Sequence, residues 1–159
     1  MTVALRRATA DDASLLGRHR ARLWTEATNV PHEVLHAQAA AWSAWFAQAI
    51  AGDTYVAWIA DENGEAVASA GLLVLPAIPR PGGRSAHEGR VHSVFVVEAA
   101  RRRGIARAMM HVLLDYARAA GLQRLKLHPS EVSRPLYASL GFTPIDELGL
   151  DLVDRDARG

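Results

Sequence analysis

One segment of this chain, residues 94–106, constrains its fold and its chemistry more than any other. The β-branched and aromatic run Val94–Val97 predicts a strand, and the turn that follows it ends at Gly104. Beyond Gly104, apolar residues recur at helical spacing and predict one buried helix face: Ile105, Met109, Val112, Leu113 and Tyr116. The segment is therefore read as a strand, a basic turn and an amphipathic helix that begins at a glycine.

Three arginines, Arg101–Arg103, stand directly before this helix. The first N–H groups of a helix have no intrahelical partner, and the helix dipole places its positive end there, so the turn favours a phosphate-bearing ligand. The glycine fingerprint of dinucleotide sites and the Gly-Lys-Ser/Thr of mononucleotide P-loops are both absent. Taken alone, the three arginines are equally consistent with a solvated loop.

A second motif decides between these readings. The turn reads Arg101-x-x-Gly104-x-Ala106, and further along the chain stands Leu136-Tyr137-Ala138-Ser139-Leu140-Gly141-Phe142. In this order the two motifs resemble those of the GNAT superfamily of acyl-CoA-dependent N-acyltransferases, Arg/Gln-x-x-Gly-x-Gly/Ala followed by Leu-Tyr-x-x-x-Gly-Phe. The resemblance extends from about Val91 to Phe142. It implies an N-acetyltransferase that uses acetyl-CoA as cosubstrate.

The resemblance also implies where acetyl-CoA binds. Its pyrophosphate would rest on backbone N–H groups of the turn: Arg101, Arg102, Arg103, Gly104, Ile105 and Ala106. The pantetheine arm would run along the strand edge at Val94, Phe95 and Val96, where a backbone N–H near Val96 would polarise the thioester carbonyl. Ser130 stands where many family members have an asparagine that contacts the cofactor.

Two residues are candidates for the proton transfers. Tyr137 matches the tyrosine that protonates the leaving thiolate in many family members, and its alternative role is that of a core residue. His92 lies two residues before Val94, on the same face of the strand. A histidine at this position is implicated as base in the arylalkylamine branch, and the alternative is a structural histidine. Glu33, His87 and Glu88 are weaker candidates.

The predicted elements give a mixed α/β fold in the order β-α-α-β-β-β-α-β-α-β, with a mostly antiparallel, twisted central sheet flanked by helices. At 159 residues we expect a single domain, 1–159. The predicted bounds are strand Val3–Arg7, a helix capped by Thr9 or Asp11 that runs to Trp24, helix Pro31–Gly52, strands Tyr55–Ala60 and Val67–Leu75 around an Asn63-Gly64 turn, loop Pro76–Gly89, strand Arg90–Val97, helix Gly104–Gly121, strand Arg124–Leu127, helix Val132–Leu140 and strand Leu148–Val153.

Composition excludes several classes of protein. The chain has no cysteine, which excludes disulfides and thiolate sites, and a net charge of +1, which counts against nucleic acid as partner. No apolar run is long enough for a signal peptide or a membrane span, so a cytoplasmic location and no membrane partner are expected. His32 and His36 are spaced i, i+4, but no zinc motif accompanies them, and no metal is predicted.

The predicted reaction is transfer of the acetyl group to a primary amine, of a small molecule or a protein, by direct attack in a ternary complex. The alternative is a non-catalytic sensor of CoA or acyl-CoA with the same fold; a remote alternative is a nucleic-acid-binding module. The acceptor stays open, because the segments that shape its site in the resembled family, here residues 18–45 and 76–88, select no substrate. A homodimer is compatible with the resemblance.

Overall fold

The computed structural model describes residues 2–153. The described residues divide into two compact units, a first unit up to His128 and a second unit from Pro129. The single domain 1–159 stays a prediction. In the part of the chain that the structure describes, no helix is both long enough and apolar enough to cross a membrane.

The first unit is built on a five-stranded sheet in the order β1-β2-β3-β4-β5. Its strands are β1 Ala4–Arg7, β2 Tyr55–Glu62, β3 Glu65–Pro76, β4 His87–Val96 and β5 Leu125–Lys126. Neighbours pair antiparallel except β4 and β5, which pair parallel. The predicted class, a mixed α/β fold with a mostly antiparallel sheet, is confirmed. The predicted turn at Asn63-Gly64 is also present, with both residues at positive φ.

Helices flank the sheet. They are α1 Ala13–Ala27, α2 His32–Ala51 and α3 Ile105–Ala119, with short 3-10 turns at Ala10–Asp12 and Glu98–Ala100; the second unit holds α4 Arg134–Ser139. The predicted first cap is shifted, since the Thr9 N–H donates to the Asp12 carboxylate (2.8 Å) and a 3-10 turn precedes α1. Pro31 stands just before α2 rather than at its first position.

Both faces of the sheet are covered at β2, since every residue from Tyr55 to Ala60 is buried and successive side chains of a strand point to opposite faces. On one face, Ala57 and Ile59 pack with apolar residues of α1 and α2, among them Leu16 and Phe46. On the other face the Trp58 ring meets Tyr116 of α3, with centroids 5.4 Å apart. Met109 and Leu113 of the same helix are fully buried, as its amphipathic pattern predicts, and Met110, which was not predicted, is fully buried too.

Two predicted elements are wrong. The last strand, Leu148–Val153, does not form: these residues make no ladder, and Leu148, Leu150, Leu152 and Val153 are exposed. Alternating apolar residues form a strand only where a neighbouring strand pairs with their backbone, and the sequence pattern does not specify one. The predicted loop Pro76–Gly89 is also longer than the loop in the structure. The ladder continues to Pro76 opposite His87, and the loop is confined to residues 77–86.

Candidate active site

The site is organised by a bulge in β4. Gly71 of β3 faces His92, whereas Ser69 faces Phe95, so β4 carries one extra residue between them. Ser93 in this bulge has φ +55°, a left-handed conformation that is uncommon outside glycine. Two side chains hold it there: Arg20 Nη1 donates to Ser93 Oγ (2.9 Å), and the Tyr55 hydroxyl shares a hydrogen bond with the same serine. A bulge of this kind bends its strand and disrupts the ladder locally.

Beside the bulge, β4 has an open edge. β5 pairs with β4 only through Gly89↔Leu125 and Arg90↔Lys126, and β4 continues to Val96 without a ladder partner on that side in the described residues. Gly89 permits the close pairing, since a Cβ there would lie 2.5 Å from Leu125 Cδ2. Beyond this point the two strands part and leave backbone groups of β4 available.

The Val96 amide points to this open edge. The Val97 N–H donates to the Val67 carbonyl of β3 (2.9 Å), and successive N–H groups of a strand point to opposite sides. In agreement, the Val96 carbonyl accepts a hydrogen bond from Arg101 Nε (2.9 Å) rather than from β3. Of the three predicted edge residues, Phe95 turns its side chain into the core and is 2% exposed. The backbone of this segment is therefore the part that can contact a ligand.

The predicted phosphate turn has the geometry of an anion site. Arg102 and Gly104 have φ of +62° and +79°, which curls the chain tightly before α3. The first helical hydrogen bond runs from the Ala108 N–H to the Gly104 carbonyl (3.0 Å), so the N–H groups of Gly104, Ile105 and Ala106 have no partner within the helix. A Cβ on Gly104 would have nothing within 4 Å, which leaves open space above these amides.

Two of the three arginines have other partners. Arg101 forms an ion pair with Glu26 at the end of α1. Arg103 makes a two-pronged pair with Glu62 at the end of β2, with Nη1 3.0 Å from Oε2. These contacts tie the turn to α1 and β2. Arg102 is exposed and makes no such pair within residues 2–153. Of the three arginines, Arg102 is therefore the one whose side chain has no carboxylate partner among the described residues.

On the other side of the bulge lies a cavity of about 290 Å³. The residues that line it belong to α1, α2 and three strands of the sheet. They are Arg20, Trp42, Trp45, Phe46, Tyr55, Leu73, His92 and Ser93. Aromatic rings form most of its wall; the Tyr55 ring lies 5.1 Å from Phe46 and 5.5 Å from Trp45 between centroids. Position 71 of β3 requires glycine, because a Cβ there would lie 1.7 Å from the hydroxyl oxygen of Tyr55 and would clash with it.

His92 lines this cavity, and its surroundings favour the neutral imidazole. Burial lowers the pKa of His92 below its usual value, and the positive charges of Arg20 and Arg90 lower it further. A neutral imidazole at neutral pH can accept a proton. The sequence-predicted base therefore lies where a small ligand can enter, although sequence reasoning missed its companions Arg20, Tyr55 and Ser93.

Another histidine, His19, is buried beneath the sheet residues of the site. His19 of α1 is 4% exposed and shares a 2.8 Å hydrogen bond through Nδ1 with Ser69 Oγ. Its ring lies 4.9 Å from Phe95. Burial lowers the pKa of His19 to about 4, and Arg22 and Arg18 contribute in the same direction. This pair joins α1 to β3 and was not predicted from the sequence.

The two predicted site residues of the second unit lie near and within α4. Tyr137 is buried, its ring meets Phe142 edge-on at 5.8 Å, and burial raises the pKa of its phenol. Ser130 Oγ shares a 2.9 Å hydrogen bond with Ser133 Oγ, and its carbonyl accepts from the Arg134 N–H, so it shapes the start of α4.

The weaker candidates are placed apart from the cavity lining. Glu88 pairs with Lys126 (3.1 Å) between β4 and β5, while Glu33 and His87 are exposed at the starts of α2 and β4. His32 and His36 stack with ring centroids 6.2 Å apart. No group of three His, Asp or Glu side chains suited to a metal ion occurs among the described residues.

Comparison with known proteins gives a family match, one relative and two similar solved structures. The model of the acetyltransferase (GNAT) family matches residues 18–142. Glucosamine 6-phosphate N-acetyltransferase of Trypanosoma brucei brucei is 34% identical over 91 residues, which span 57% of this chain and 60% of that protein. The matched segment thus covers less than two thirds of this relative's length.

Two solved structures cover nearly the whole chain. A GCN5-related N-acetyltransferase from Ralstonia eutropha JMP134 superposes with a TM-score of 0.85 at 28% identity, over 95% of this chain and 99% of that one. A predicted acetyltransferase from Clostridium acetobutylicum, solved with acetyl-CoA, superposes with a TM-score of 0.83 at 26% identity, over 95% and 97%.

Proposed function

The chain belongs to the acetyltransferase (GNAT) family, as its two motifs predict, and we propose that it transfers the acetyl group of acetyl-CoA to a primary amine. The observation that carries this proposal is the arrangement around the bulge of β4. The open backbone edge at Val96 and the phosphate turn lie at the end of the same strand whose His92 lines the aromatic cavity. One strand thus borders a groove for the acyl donor and a cavity for the acceptor.

The residues of the first unit fit acetyl-CoA as donor. The amides of Gly104, Ile105 and Ala106 would hold its pyrophosphate with Arg102 beside them, and the backbone at Val94 and Val96 would pair with the pantetheine arm. The Val96 N–H is the donor best placed to stabilise the carbonyl oxygen as negative charge develops. Bound acetyl-CoA supplies the acetyl group and a thiolate leaving group. Ser130, whose hydroxyl bonds to Ser133, stays a predicted contact.

His92 and Tyr137 carry the proton transfers in this proposal. His92 accepts a proton from the acceptor ammonium, directly or through water, which frees the nitrogen lone pair. As the C–N bond forms and the C–S bond breaks, Tyr137 would donate its phenolic proton to the departing sulfur, and the second proton that the nitrogen loses would return through water to the phenolate. Tyr137 is protonated at neutral pH, as a proton donor must be, and burial raises the pKa of its phenol. The amine attacks the thioester carbonyl directly in a ternary complex, so no covalent acyl-enzyme is needed.

A single pair of measurements tests this function. Acetyl-CoA should raise the melting temperature of the protein, because a ligand that binds the folded state stabilises it. A panel of primary amines should then release free CoA from acetyl-CoA. A thiol reagent reports that CoA without interference from the protein, since the chain has no cysteine. A thermal shift without turnover would favour the CoA-binding sensor, and no shift at millimolar acetyl-CoA would contradict both.

The remaining expectations stay predictions. They are the single domain over residues 1–159, a homodimer, a cytoplasmic location, and the absence of nucleic acid and membrane as partners. The acceptor of the trypanosomal relative is not transferred to this chain, because the match spans 60% of that protein.

A further inference from the structure

Arg20 is the feature of the cavity that the acetyl-transfer chemistry leaves unexplained. Its side chain is half-buried among aromatic rings and lines the cavity. Its one hydrogen bond among residues 2–153 is the one that Nη1 donates to Ser93 Oγ, and no carboxylate of the described residues pairs with it. Other arginines of the first unit, such as Arg101 and Arg103, do form ion pairs. A guanidinium has five N–H donors, so Arg20 retains unused ones.

The aromatic neighbours hold Arg20 in place without neutralising it. Its guanidinium carbon lies 5.2 Å from the centroid of the Trp42 ring and 5.8 Å from that of Trp24. Such cation–π contacts are attractive but leave the positive charge uncompensated. Removing a charge from water is costly unless a partner ion or hydrogen bonds replace the lost solvation. The cavity therefore carries a fixed positive charge that an anion would complement.

The rest of the lining points to the same kind of ligand. Among the described residues, no Asp or Glu lines the cavity, whereas Trp42, Trp45, Phe46 and Leu73 offer apolar surface. A volume of about 290 Å³ is at the lower end of the range for small-molecule sites, roughly 300–1,000 Å³. A polycationic acceptor would place a further positive charge beside Arg20 with no acid to balance it.

We propose that the acceptor is a small primary amine that carries an anionic group, a carboxylate or a phosphate, which binds to Arg20 while its apolar or ring portion lies against the aromatic wall. This inference rests on the proposed function and narrows its acceptor. Planar, two-pronged contact with a carboxylate or phosphate is the interaction for which a guanidinium is best suited. His92 lines the same cavity and would receive the proton of the amine.

Arg20 also supports the bulge through Ser93, and the experiment must separate the two roles. Binding is measured by thermal shift, with and without CoA, for two matched pairs of amines: L-phenylalanine against 2-phenylethylamine, and glucosamine 6-phosphate against glucosamine. Members of a pair differ by the anionic group, so their ratio of apparent affinities isolates its contribution. The carboxylate and phosphate pairs distinguish the two sources of negative charge.

In the wild-type protein we expect one pair or both to show tighter binding of the anionic member by about tenfold to a hundredfold, the range for a hydrogen-bonded charge. Arg20→Met should abolish that preference. The control Arg18→Met changes an exposed arginine on the same helix, bonded to Ser14, and should leave the preference intact. Ser93→Ala removes the bulge contact but keeps the guanidinium, and should also retain it.

Four results would overturn the inference: equal affinity within both pairs, tighter binding of the members that lack the anionic group, a preference that persists in Arg20→Met, or a preference lost equally in Ser93→Ala. The wild-type comparison needs no variant, so it decides even if Arg20→Met does not fold. Because this readout is binding, it is independent of turnover. Absence of CoA release with every amine would contradict the proposed function, whereas loss of the anion preference would contradict this inference alone.

Discussion

Arg20 Nη1 lies 2.9 Å from Ser93 Oγ, and this hydrogen bond joins α1 to the residue of β4 that adopts φ +55°. Tyr55 is buried, with 2% of its surface exposed, and its hydroxyl forms a hydrogen bond with the same serine. A left-handed non-glycine residue is held in place here by side chains from two other elements. The bulge that shapes both halves of the site thus depends on contacts between α1, β2 and β4.

Removing the serine hydroxyl should destabilise the protein. Ser93→Ala leaves the buried Tyr55 hydroxyl without this partner, at a cost of about 1–3 kcal/mol in the free energy of unfolding. Tyr55→Phe removes the hydroxyl that Ser93→Ala leaves without a partner. The double variant should therefore lose less free energy of unfolding than the two single variants lose together. Denaturant unfolding of all four proteins measures this coupling. Strictly additive losses would show that the two hydroxyls do not interact.

What the sequence predicted well is local. The turn from Arg101 to Gly104 and the amphipathic face of α3 depend on residues adjacent in the chain, so their pattern indicates structure directly. Gly104 is predicted as the helix start and does have φ +79°, a conformation that favours glycine. The hairpin at Asn63-Gly64 is predicted on the same local grounds.

What the sequence could not predict is produced by tertiary contacts. Arg20 and His92 meet in one cavity because the sheet brings α1 and β4 together, and no spacing in the chain encodes that meeting. The residues Trp42 and Phe46 follow a helical pattern that indicates a core face, and the pattern cannot tell a core from a cavity wall. The expected strand at Leu148–Val153 fails for the related reason that alternation does not identify a pairing partner.

Gly104 should be required for acetyl-CoA binding. A valine at φ +79° is strained, and its side chain would occupy the open space next to the turn amides, so Gly104→Val should abolish the acetyl-CoA thermal shift. The matched control is Gly121→Val at the end of α3, which has φ +69° and equally open surroundings. We expect both variants to melt at lower temperature and only Gly121→Val to keep the shift. A normal shift in Gly104→Val would place the pyrophosphate elsewhere.

Stability should fall in mild acid because of His19. Its pKa is about 4 in the folded protein, below the usual 6.5, so the unfolded chain takes up the proton first. The neutral imidazole of His19 thus contributes about 3 kcal/mol to the free energy of unfolding above pH 6.5. This contribution is lost as the pH falls from 6.5 towards 4. The pKa of His92 is lowered too and adds to the same trend.

His19→Asn should flatten this dependence while an amide replaces the contact with Ser69. Unfolding free energies between pH 4 and 7 measure the slope. His111→Asn, at an exposed position on α3, is the control and should leave the slope as in the wild type. An unchanged slope in His19→Asn would show that other groups govern acid unfolding.

Tyr137→Phe tests the proton donor. If the phenol protonates the thiolate, the variant should lower kcat by about a hundredfold or more with little change in the acetyl-CoA thermal shift. Phe142→Leu, which changes the ring that packs edge-on against Tyr137, serves as a packing control and should affect stability more than kcat. An unaltered kcat in Tyr137→Phe would assign the residue to the core.

The last prediction concerns His92 and the proton of the nucleophile. An ammonium cannot attack until it is deprotonated, so kcat/KM should rise with pH as both the base and the amine lose protons. The pKa of His92 is lowered by burial and by Arg20 and Arg90, so the limb due to His92 should lie below pH 6.5. Below it, log kcat/KM should rise with a slope of about two, and above it with a slope of about one set by the amine.

His92→Gln should remove the steeper limb, so that activity follows the ionisation of the amine alone and partly recovers at high pH. Arg20→Met should instead move the limb upward, because it removes a positive charge that disfavours the imidazolium. The rate profiles are measured with an accepted amine, and the melting temperature is recorded at each pH to separate loss of activity from acid unfolding. A steeper limb that persists unchanged in His92→Gln would exclude His92 as the base. The proton would then leave through solvent water, because Glu33 and Glu88 do not line the cavity.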